Sequence, residues 1–343
     1  MPDHTRPPLN IALVGFGFAG RSFHAPLIAA VDGLRLHTIV SSQGALPRGA
    51  HPDARVVADY SEALADPAID LVVLATPNAV HAEQAHAALS AGKHVVVDKP
   101  FTVTVEEAES VVAHAERGGR VLSVFHNRRW DSEFVTVRKL IADGALGDVR
   151  YFESRIDRYR PVVRDRWRER AGAGAGLWYD LGPHLVDQAL QLFGPPQSVH
   201  GDLAIQREGA QVDDYFHVVL MYERLRVVLH ASMLAAANDL RFVVHGTRGS
   251  YVKHGTDPQE EVLRGGGVVG GAEWGVDRRP GVLTVMEGER RVERVVEGVP
   301  GDWREFYAGV RDAVWGVGGN PVAGSEAVEV MRVVEGVIRE AGE

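Results

Sequence analysis

Three residues of this chain have side chains that together could assist the removal of a proton from a carbon-bound hydroxyl group. Lys99 follows an apolar run, in Asp98-Lys99-Pro100, and an ammonium group there can stabilise negative charge developing on oxygen. Asp180 and His184 are four residues apart, so they share one face of a predicted helix. A histidine beside a carboxylate has a defined tautomer and suits general base catalysis. The spacing alone is equally compatible with a solvated helix face.

Oxidation of an alcohol needs a base for the hydroxyl proton and a cation near the oxygen. His184 can supply the base and Lys99 the cation, while Asp180 can orient and support His184. The chemistry requires no metal, and we predict no metal site. Because the chain has no cysteine, thiolate zinc sites, iron–sulfur clusters, disulfides and cysteine nucleophiles are excluded.

A glycine loop near the start of the chain predicts a dinucleotide site. The segment Gly15-Phe16-Gly17-Phe18-Ala19-Gly20 ends a predicted strand and opens a helix, which is the context that makes this pattern specific. The first glycine permits a tight turn, the second lets pyrophosphate approach the backbone, and the third lets the helix pack closely. We expect Gly15, Phe16, Gly17, Phe18 and Ala19 to bind the cofactor; the alternative is a plain strand–helix turn.

The end of the second predicted strand bears on the choice of cofactor. NAD-binding versions of this fold usually place an acidic residue there for the ribose 2′-hydroxyl, whereas this chain has Ser41 and Ser42 and no acidic residue. Serines can hydrogen-bond a 2′-phosphate, and Arg48 could add positive charge, although it is more simply a solvated loop residue. The pattern favours NADP(H) over NAD(H).

Two further strand ends carry polar residues. Thr76 and Asn78 follow the run Leu71–Ala75, and His81 comes shortly after them. Asn78 can cap the next helix and contact a cofactor as well. Asp98 and Lys99 follow the next strand, and ligands of such sheets bind beyond the carboxyl ends of the strands. We therefore expect Thr76, Asn78, His81, Asp98 and Lys99 at the cofactor site.

The first ~125 residues alternate continuously apolar runs with helical segments, which predicts a doubly wound parallel sheet, the α/β Rossmann fold. Helices are predicted over 78–91 and 104–117, with a capping box at Thr104 and Glu107 and an end at Gly118-Gly119. The predicted strands are 10–14, 34–40, 71–75, 94–97 and 121–125.

From Val149 onward the apolar residues alternate, which is typical of half-buried antiparallel strands. A bridging helix is predicted over 131–143, ending at Gly144. Strand pairs are predicted over 213–221 with 225–232 and over 240–245 with 250–253. An exposed loop is predicted over 264–271, and closing helices over 302–316 and 325–342. These patterns predict domains 1–126 and 127–343, the second an α+β domain with an open, mainly antiparallel sheet. The terminal helices could belong with the first.

Composition narrows the partners and the location. The net charge of −9 argues against nucleic acid or an anionic membrane as the main partner. No apolar stretch approaches the ~18–20 residues of a membrane span, and the run after the N-terminus is too short for a signal peptide. We expect a cytoplasmic protein that acts on a small molecule.

Taken together, the motifs resemble those of the glucose–fructose oxidoreductase / inositol dehydrogenase family (Gfo/Idh/MocA) over essentially the full chain. The matching motifs are the glycine loop, Ala75-Thr76-Pro77-Asn78 with His81, Asp98-Lys99-Pro100 (Glu in place of Asp is usual), and Asp180-x-Gly182-x-His184. Within this family the chain is most similar to the NADP-dependent scyllo-inositol dehydrogenases. The stretches that carry this likeness are 23–28, 95–104, 123–131, 164–169 and 245–251.

The resemblance implies that Lys99, Asp180 and His184 form the catalytic set, and that Asn127 and Trp167 approach the substrate. It implies interconversion of a cyclic polyol or sugar hydroxyl with its ketone, foremost scyllo-inositol with scyllo-inosose. It also implies a homodimer or homotetramer formed through the C-terminal sheet. Two alternatives stay open: an NAD-dependent glycoside-cleaving enzyme of the same fold, and a non-catalytic regulator that senses dinucleotide.

Overall fold

A computed structural model describes residues 6–341, which fold into two compact units. The first unit takes the described residues up to Asn127, together with Gln259–Trp274 and Asp302–Val328. The second takes Arg128–Pro258, Gly275–Gly301 and the described residues from Glu329 onward. The outer ends of the predicted domains, at residues 1–5 and 342–343, lie outside the described residues, as does the predicted last residue of the closing helix.

The first unit is built on a six-stranded sheet in which all pairs are parallel, in the order β3-β2-β1-β4-β5-β6. The three central strands are almost completely buried, which explains their continuously apolar sequences. The strands are β1 Leu9–Val14, β2 Leu34–Val40, β3 Arg55–Val57, β4 Leu71–Leu74, β5 His94–Val97 and β6 Leu122–Val124.

The second unit is built on an eight-stranded sheet in the order β14-β13-β12-β11-β7-β10-β9-β8. Its pairs are antiparallel except for β7 with β10, which is parallel. The strands are β7 Val149–Arg155, β8 Ser198–Ala204, β9 Tyr215–Met221, β10 Arg226–Ser232, β11 Leu240–Gly246, β12 Gly249–His254, β13 Gly281–Glu287 and β14 Arg290–Val296. The predicted fold class, a parallel Rossmann sheet followed by a mainly antiparallel open sheet, is confirmed.

The helices lie between the strands and at the end of the chain. A π-helical turn, Gly20–His24, precedes α1, and single 3-10 turns occupy Asn78–Val80, Asn127–Trp130 and Trp167–Glu169. The α-helices are α1 Ala25–Ala29, α2 Ala45–Ala50, α3 Tyr60–Leu64, α4 His81–Ser90, α5 Val105–Arg117, α6 Ser132–Ala142, α7 Leu177–Phe193, α8 Gln259–Arg264, α9 Arg304–Val314 and α10 Gly324–Ala341.

Local signals located several boundaries well. The capping box at Thr104 and Glu107 is present at the start of α5, with both of its reciprocal hydrogen bonds. Strand β3 was not among the predicted strands, because three residues are too few to show a hydrophobic period. The predicted helix over 78–91 begins as a 3-10 turn and becomes α-helical at His81.

Helix α7, which carries Asp180 and His184, is held in the second unit by buried polar contacts. The Arg129 guanidinium binds the Asp187 carboxylate with an Nη2–Oδ1 distance of 2.6 Å, and both side chains are almost fully buried. The Asp213 carboxylate accepts the backbone N–H of Trp178 at 2.6 Å in the first turn of the helix. These contacts, together with packing against β9 and β10, fix the orientation of α7.

Candidate functional site

The parallel register of the first sheet gathers most of the predicted cofactor residues at one edge. One row of the sheet runs through Val40, Val14, Leu74, Val97 and Val124, the last residues of β2, β1, β4, β5 and β6. The residues that follow this row directly are Ser41, Gly15, Ala75, Asp98 and Phe125. The strand-end residues singled out by the sequence therefore leave the sheet side by side.

The three loop glycines have different surroundings. Gly15 has φ +94°, and an added Cβ would lie 2.6 Å from the carbonyl oxygen of Ala75, so only glycine fits there. At Gly20 an added Cβ would lie 2.1 Å from the Gly15 carbonyl oxygen. At Gly17 an added Cβ would meet nothing within 4 Å, so the loop faces open space where a phosphate group could approach its backbone. The loop therefore fits the dinucleotide site that its sequence predicts.

The end of β2 has no carboxylate but has an arginine nearby. Ser41 accepts the backbone N–H of Gln43 through its hydroxyl at 3.1 Å, and Ser42 is exposed. The Arg48 guanidinium folds back over Gly44, where an added Cβ would lie 3.2 Å from its Nη1 atom. The described residues form no ion pair with Arg48. An exposed cation therefore lies over Gly44, which is two residues along the chain from Ser42.

The loop after β4 is joined to the loop after β5 by a buried histidine. His81 Nε2 lies 2.9 Å from the Thr76 carbonyl oxygen, and Nδ1 lies 3.0 Å from the Pro100 carbonyl oxygen. Burial lowers the pKa of His81, although the charge of Asp98 and the surrounding carbonyl groups act in the opposite direction. Asn78 is also buried, at the start of the 3-10 turn. The ring of His81 thus holds two strand-end loops together.

Asp98 and Lys99 form the polar end of β5. The Asp98 carboxylate is buried and accepts the backbone N–H of Lys99 at 2.8 Å, while the Lys99 side chain is half-buried. Burial by itself raises the pKa of Asp98. Polar contact with His24 and electrostatic interactions with His24, Lys99 and His81 outweigh this effect and lower the pKa to about 2. Asp98, the residue before Lys99, is therefore negatively charged near neutral pH.

In the second unit, two arginines hold the Asp180 carboxylate. Arg158 Nη1 lies 3.6 Å from Oδ2, and Arg168 Nε lies 3.5 Å from Oδ1. His184, one helical turn along α7, is 5% exposed. A carboxylate with two guanidinium neighbours is oriented from both sides, and the adjacent turn of the helix carries the predicted base.

Trp167 lies in a short turn that is built around a buried carboxylate. Glu169 accepts the backbone N–H of Arg164 at 3.0 Å and binds the Arg207 guanidinium at 3.1 Å. The Arg168 guanidinium, which faces Asp180, also stacks on the Trp167 ring with 4.4 Å between its Cζ atom and the ring centroid. The structure thus brings Trp167 into the neighbourhood of Asp180. Asn127 is a buried residue shortly after β6.

Sequence reasoning missed several residues that shape these sites. No local pattern in the sequence marks Arg158 and Arg168 as partners of Asp180. His24 and Tyr307, which lie behind Asp98, are far apart in the chain and gave no motif of their own. The stretch 23–28, which follows the glycine loop and contains His24, was the available signal.

Two classes of site find no support within residues 6–341. No group of three or more histidine, aspartate or glutamate side chains in that range is arranged to hold a metal ion. No helix formed by those residues is both long and apolar enough to cross a membrane.

Comparison with known proteins identifies the class of protein and then the family. Residues 9–126 match the model of the oxidoreductase family, NAD-binding Rossmann fold, and residues 138–343 match its C-terminal alpha/beta domain. The chain therefore carries the nicotinamide-cofactor domain of an oxidoreductase. It belongs to the Gfo/Idh/MocA oxidoreductase family, and the resemblance predicted from the sequence is confirmed.

Individual relatives agree with this assignment over nearly the full length. The oxidoreductase YdgJ of Escherichia coli K12 is 54% identical over 95% of this chain and 94% of its own. The scyllo-inositol 2-dehydrogenase (NADP(+)) IolW of Bacillus subtilis is 37% identical over 98% of this chain and 94% of its own. A crystal structure of an oxidoreductase from Klebsiella pneumoniae is 47% identical, covers 98% of this chain and 94% of its own, and has a TM-score of 0.92.

The depressed pKa of Asp98 predicts a pH-dependent contribution to stability. The ordinary value is 3.8 and the value in the folded chain is about 2, an interval that corresponds to roughly 2 kcal/mol of unfolding free energy. This contribution is fully present above pH ~3.8 and is lost as the pH falls towards 2. We expect Asp98→Asn to lower the unfolding free energy by about 2 kcal/mol at pH 7, and by progressively less below pH 4, in urea titrations.

Asp143→Asn is the matched control, because Asp143 forms an exposed ion pair with Lys139 and should cost less than about 1 kcal/mol. A deficit for Asp98→Asn that remains the same from pH 7 to pH 2.5 would contradict the prediction.

Proposed function

We propose that this chain is an NADP(H)-dependent dehydrogenase that interconverts a hydroxyl group of a cyclic polyol or sugar with the corresponding ketone. Scyllo-inositol and scyllo-inosose are the pair on which we expect it to act. The observation that carries the proposal is Lys99, a half-buried lysine at the carboxyl end of a buried Rossmann strand, beside a permanently ionised carboxylate. The similarity to IolW supports the substrate.

The chemistry divides among three side chains. A bound nicotinamide cofactor would supply the chemistry of hydride transfer to and from the carbinol carbon. His184 takes the hydroxyl proton as general base, and the Lys99 ammonium stabilises the charge that develops on the oxygen. Asp180, held by Arg158 and Arg168, orients and supports His184 as it becomes positively charged. Nothing in this scheme requires a metal ion.

The cofactor would be held by the residues around the parallel strand ends, and the open space at Gly17 supports this fit. The loop backbone would take the pyrophosphate, and the end of β2 would take the 2′-phosphate. The proposed cofactor-binding residues are Gly15, Phe16, Gly17, Phe18, Ala19, Ser41, Ser42, Thr76, Asn78, His81, Asp98 and Lys99. His81, whose ring nitrogens face carbonyl oxygens, would act by holding the loops in place.

The substrate would contact Lys99, Asp180 and His184 together with Asn127 and Trp167. An indole ring can pack against the apolar face of a polyol ring while its neighbours bind the hydroxyl groups. Trp167 is 36% exposed and is steadied by the Arg168 guanidinium, which leaves ring surface available for such a contact.

The function is tested by the initial rise in absorbance at 340 nm with scyllo-inositol, measured in parallel with NADP+ and NAD+. We expect a higher kcat/KM with NADP+. Lys99→Met and His184→Ala should each lower kcat by about 10²–10⁴-fold, because each removes one charge-handling group.

Lys139→Met, which removes an exposed lysine on α6, is the matched control and should leave the rate unchanged. Folded protein that binds NADPH but shows no rate with either cofactor would remove scyllo-inositol as the substrate.

The exposed arginine near β2 predicts the cofactor preference. We expect Arg48→Ala to raise KM for NADP+ about 10-fold or more, a loss of roughly 1.4 kcal/mol, because a guanidinium would no longer face the 2′-phosphate. KM for NAD+, which lacks that phosphate, should remain within about 2-fold. Steady-state rates with both cofactors provide the measurement.

The control is Arg55→Ala, because Arg55 is an exposed arginine on β3 that already pairs with Glu62 and Asp66. Equal effects of Arg48→Ala on NADP+ and NAD+ would exclude Arg48 as a 2′-phosphate ligand.

We further propose that the chain is a homodimer or homotetramer assembled through the second sheet. A row of four valines, Val243, Val252, Val282 and Val295, crosses the register of β11 to β14. Their sheet neighbours Val244, Tyr251 and Leu283 are buried on the opposite face, whereas Val282 and Val295 are 38% and 68% exposed. Apolar surface of this kind is typical of an interface.

We expect the double substitution Val282→Glu and Val295→Glu to convert the oligomer to a monomer, because it would bury carboxylates at the interface. Light scattering coupled to size exclusion measures the mass. Val317→Glu, at a 59% exposed valine of the first unit, should leave the mass unchanged. A wild-type chain that is monomeric at micromolar concentration would overturn this proposal.

A further inference from the structure

A chain of three polar side chains lies behind Lys99, inside the first unit. Asp98 Oδ2 lies 3.7 Å from His24 Nε2, and His24 Nδ1 lies 2.6 Å from the Tyr307 hydroxyl oxygen. The other carboxylate oxygen of Asp98 accepts the backbone N–H of Lys99 at 2.8 Å. The series therefore runs from Tyr307 on α9, through His24 in the turn after the glycine loop, to Lys99, which carries the proposed catalytic cation.

This series is almost completely buried. His24 and Tyr307 are both completely buried, and the Asp98 side chain is 10% exposed. The Phe125 ring packs on His24 with 4.4 Å between the ring centroids, and Phe306 packs edge-on against both Phe125 and Tyr307. Electrostatic interactions inside such an aromatic enclosure are stronger than at the surface, so the Asp98 carboxylate attracts the His24 ring across the 3.7 Å that separates Oδ2 from Nε2.

The hydrogen-bond chemistry favours one tautomer of His24. Burial and the nearby Asp98 charge raise the pKa of Tyr307 well above its ordinary value, so its hydroxyl keeps its proton and can donate to Nδ1. A ring nitrogen that accepts from Tyr307 carries no proton, so the N–H group of the ring is then on Nε2, which is the nitrogen that faces Asp98. Tyr307 therefore sets the ring in the tautomer that presents an N–H group to the carboxylate.

The local backbone explains how His24 reaches this position. The residues after the glycine loop form a π-helical turn, Gly20–His24, before α1 begins, and the backbone N–H of Ala25 bonds to the Gly20 carbonyl. Such turns are rare and frequently occur at functional sites. Here the turn ends at His24, the one histidine of the segment. Its ring faces Asp98 at the end of β5.

We propose that His24, held in one tautomer by Tyr307, is a positioning residue for Lys99. It fixes the Asp98 carboxylate, and Asp98 in turn fixes the backbone from which the Lys99 side chain leaves the sheet. The catalytic consequence rests on the function proposed above for Lys99, whereas the effect on the Lys99 side chain itself does not. A displacement of a catalytic group by about 1 Å can lower a rate by about 10²-fold.

A purely stabilising role makes a different prediction. If the three side chains only filled the interior, their removal would lower the melting temperature and weaken NADPH binding and catalysis together. If they position Lys99, their removal changes the environment of the Lys99 ammonium group. NADPH, which would be held mainly through its phosphates, should then bind as before.

The composition allows a direct readout on Lys99, because the chain contains four lysines, Lys93, Lys99, Lys139 and Lys253. Lys93 and Lys253 are buried with their ammonium groups hydrogen-bonded to protein oxygens. Lys139 is exposed and serves as an internal reference. Trace acetylation of the full-length protein with acetic anhydride, followed by peptide mass analysis, yields the ratio of Lys99 to Lys139 labelling.

The variants are Tyr307→Phe, His24→Leu, His24→Gln and His24→Asn. Tyr307→Phe removes one oxygen atom and keeps the ring, so it should fold even where His24→Leu does not. The Gln side-chain amide can place an N–H group where Nε2 lies, whereas the shorter Asn amide corresponds to Nδ1. We expect at least a 3-fold change in the labelling ratio for Tyr307→Phe, His24→Leu and His24→Asn, and recovery towards wild type for His24→Gln.

Steady-state rates should follow the labelling. We expect kcat to fall about 10-fold for Tyr307→Phe and up to about 10²-fold for His24→Leu, with the Kd for NADPH, measured by fluorescence, within 2-fold of wild type. An unchanged labelling ratio in Tyr307→Phe, or equal losses in the Gln and Asn variants, would overturn the proposal. If the wild type oxidises no polyol, the proposed substrate fails, and the labelling ratio still decides whether His24 positions Lys99.

Discussion

The parallel pairing of β1, β2, β4, β5 and β6 is the constraint on which the rest of the first unit depends. Because all these strands run in the same direction and end on one row of the sheet, the residue that follows each strand leaves at the same edge. The apolar side chains that fill the centre of these strands perform no chemistry. Their function is to set the spacing between a glycine loop, a serine pair and the Asp98-Lys99 pair, which no single loop could hold in register.

In the second unit, buried charged and polar side chains hold the helix that carries the candidate catalytic residues. Helix α7 carries a carboxylate and a histidine one turn apart, and two of its other polar side chains hold the helix in place. Asp187 binds Arg129, and Gln188 accepts a hydrogen bond from Arg241 and donates one to the Arg128 carbonyl. A buried ion pair adds little net stability, but it resists rotation or sliding of the helix. The direction in which Asp180 and His184 point therefore depends on residues that have no chemical role.

Much of this arrangement is accessible from local patterns. Continuously apolar runs separated by helices predict a parallel sheet, and the alternating pattern after Val149 predicts the antiparallel one. The glycine loop and the capping box at Thr104 are short-range signals with steric causes, and the structure has both. The signals fail where an element is too short to show a period, as in β3, or where backbone geometry departs from the α-helix, as in the π-helical turn after Gly20.

The sequence by itself therefore determined the fold class and the position of the glycine loop, because both are encoded by patterns within one or two elements, and it singled out Lys99, Asp180 and His184 as candidates. Only the tertiary structure decided which side chains surround them. Arg158 and Arg168 meet at Asp180, and Tyr307 meets His24 across 283 residues of chain. Such contacts leave no periodic trace in the sequence, because they depend on how separate elements pack rather than on the pattern within any one of them.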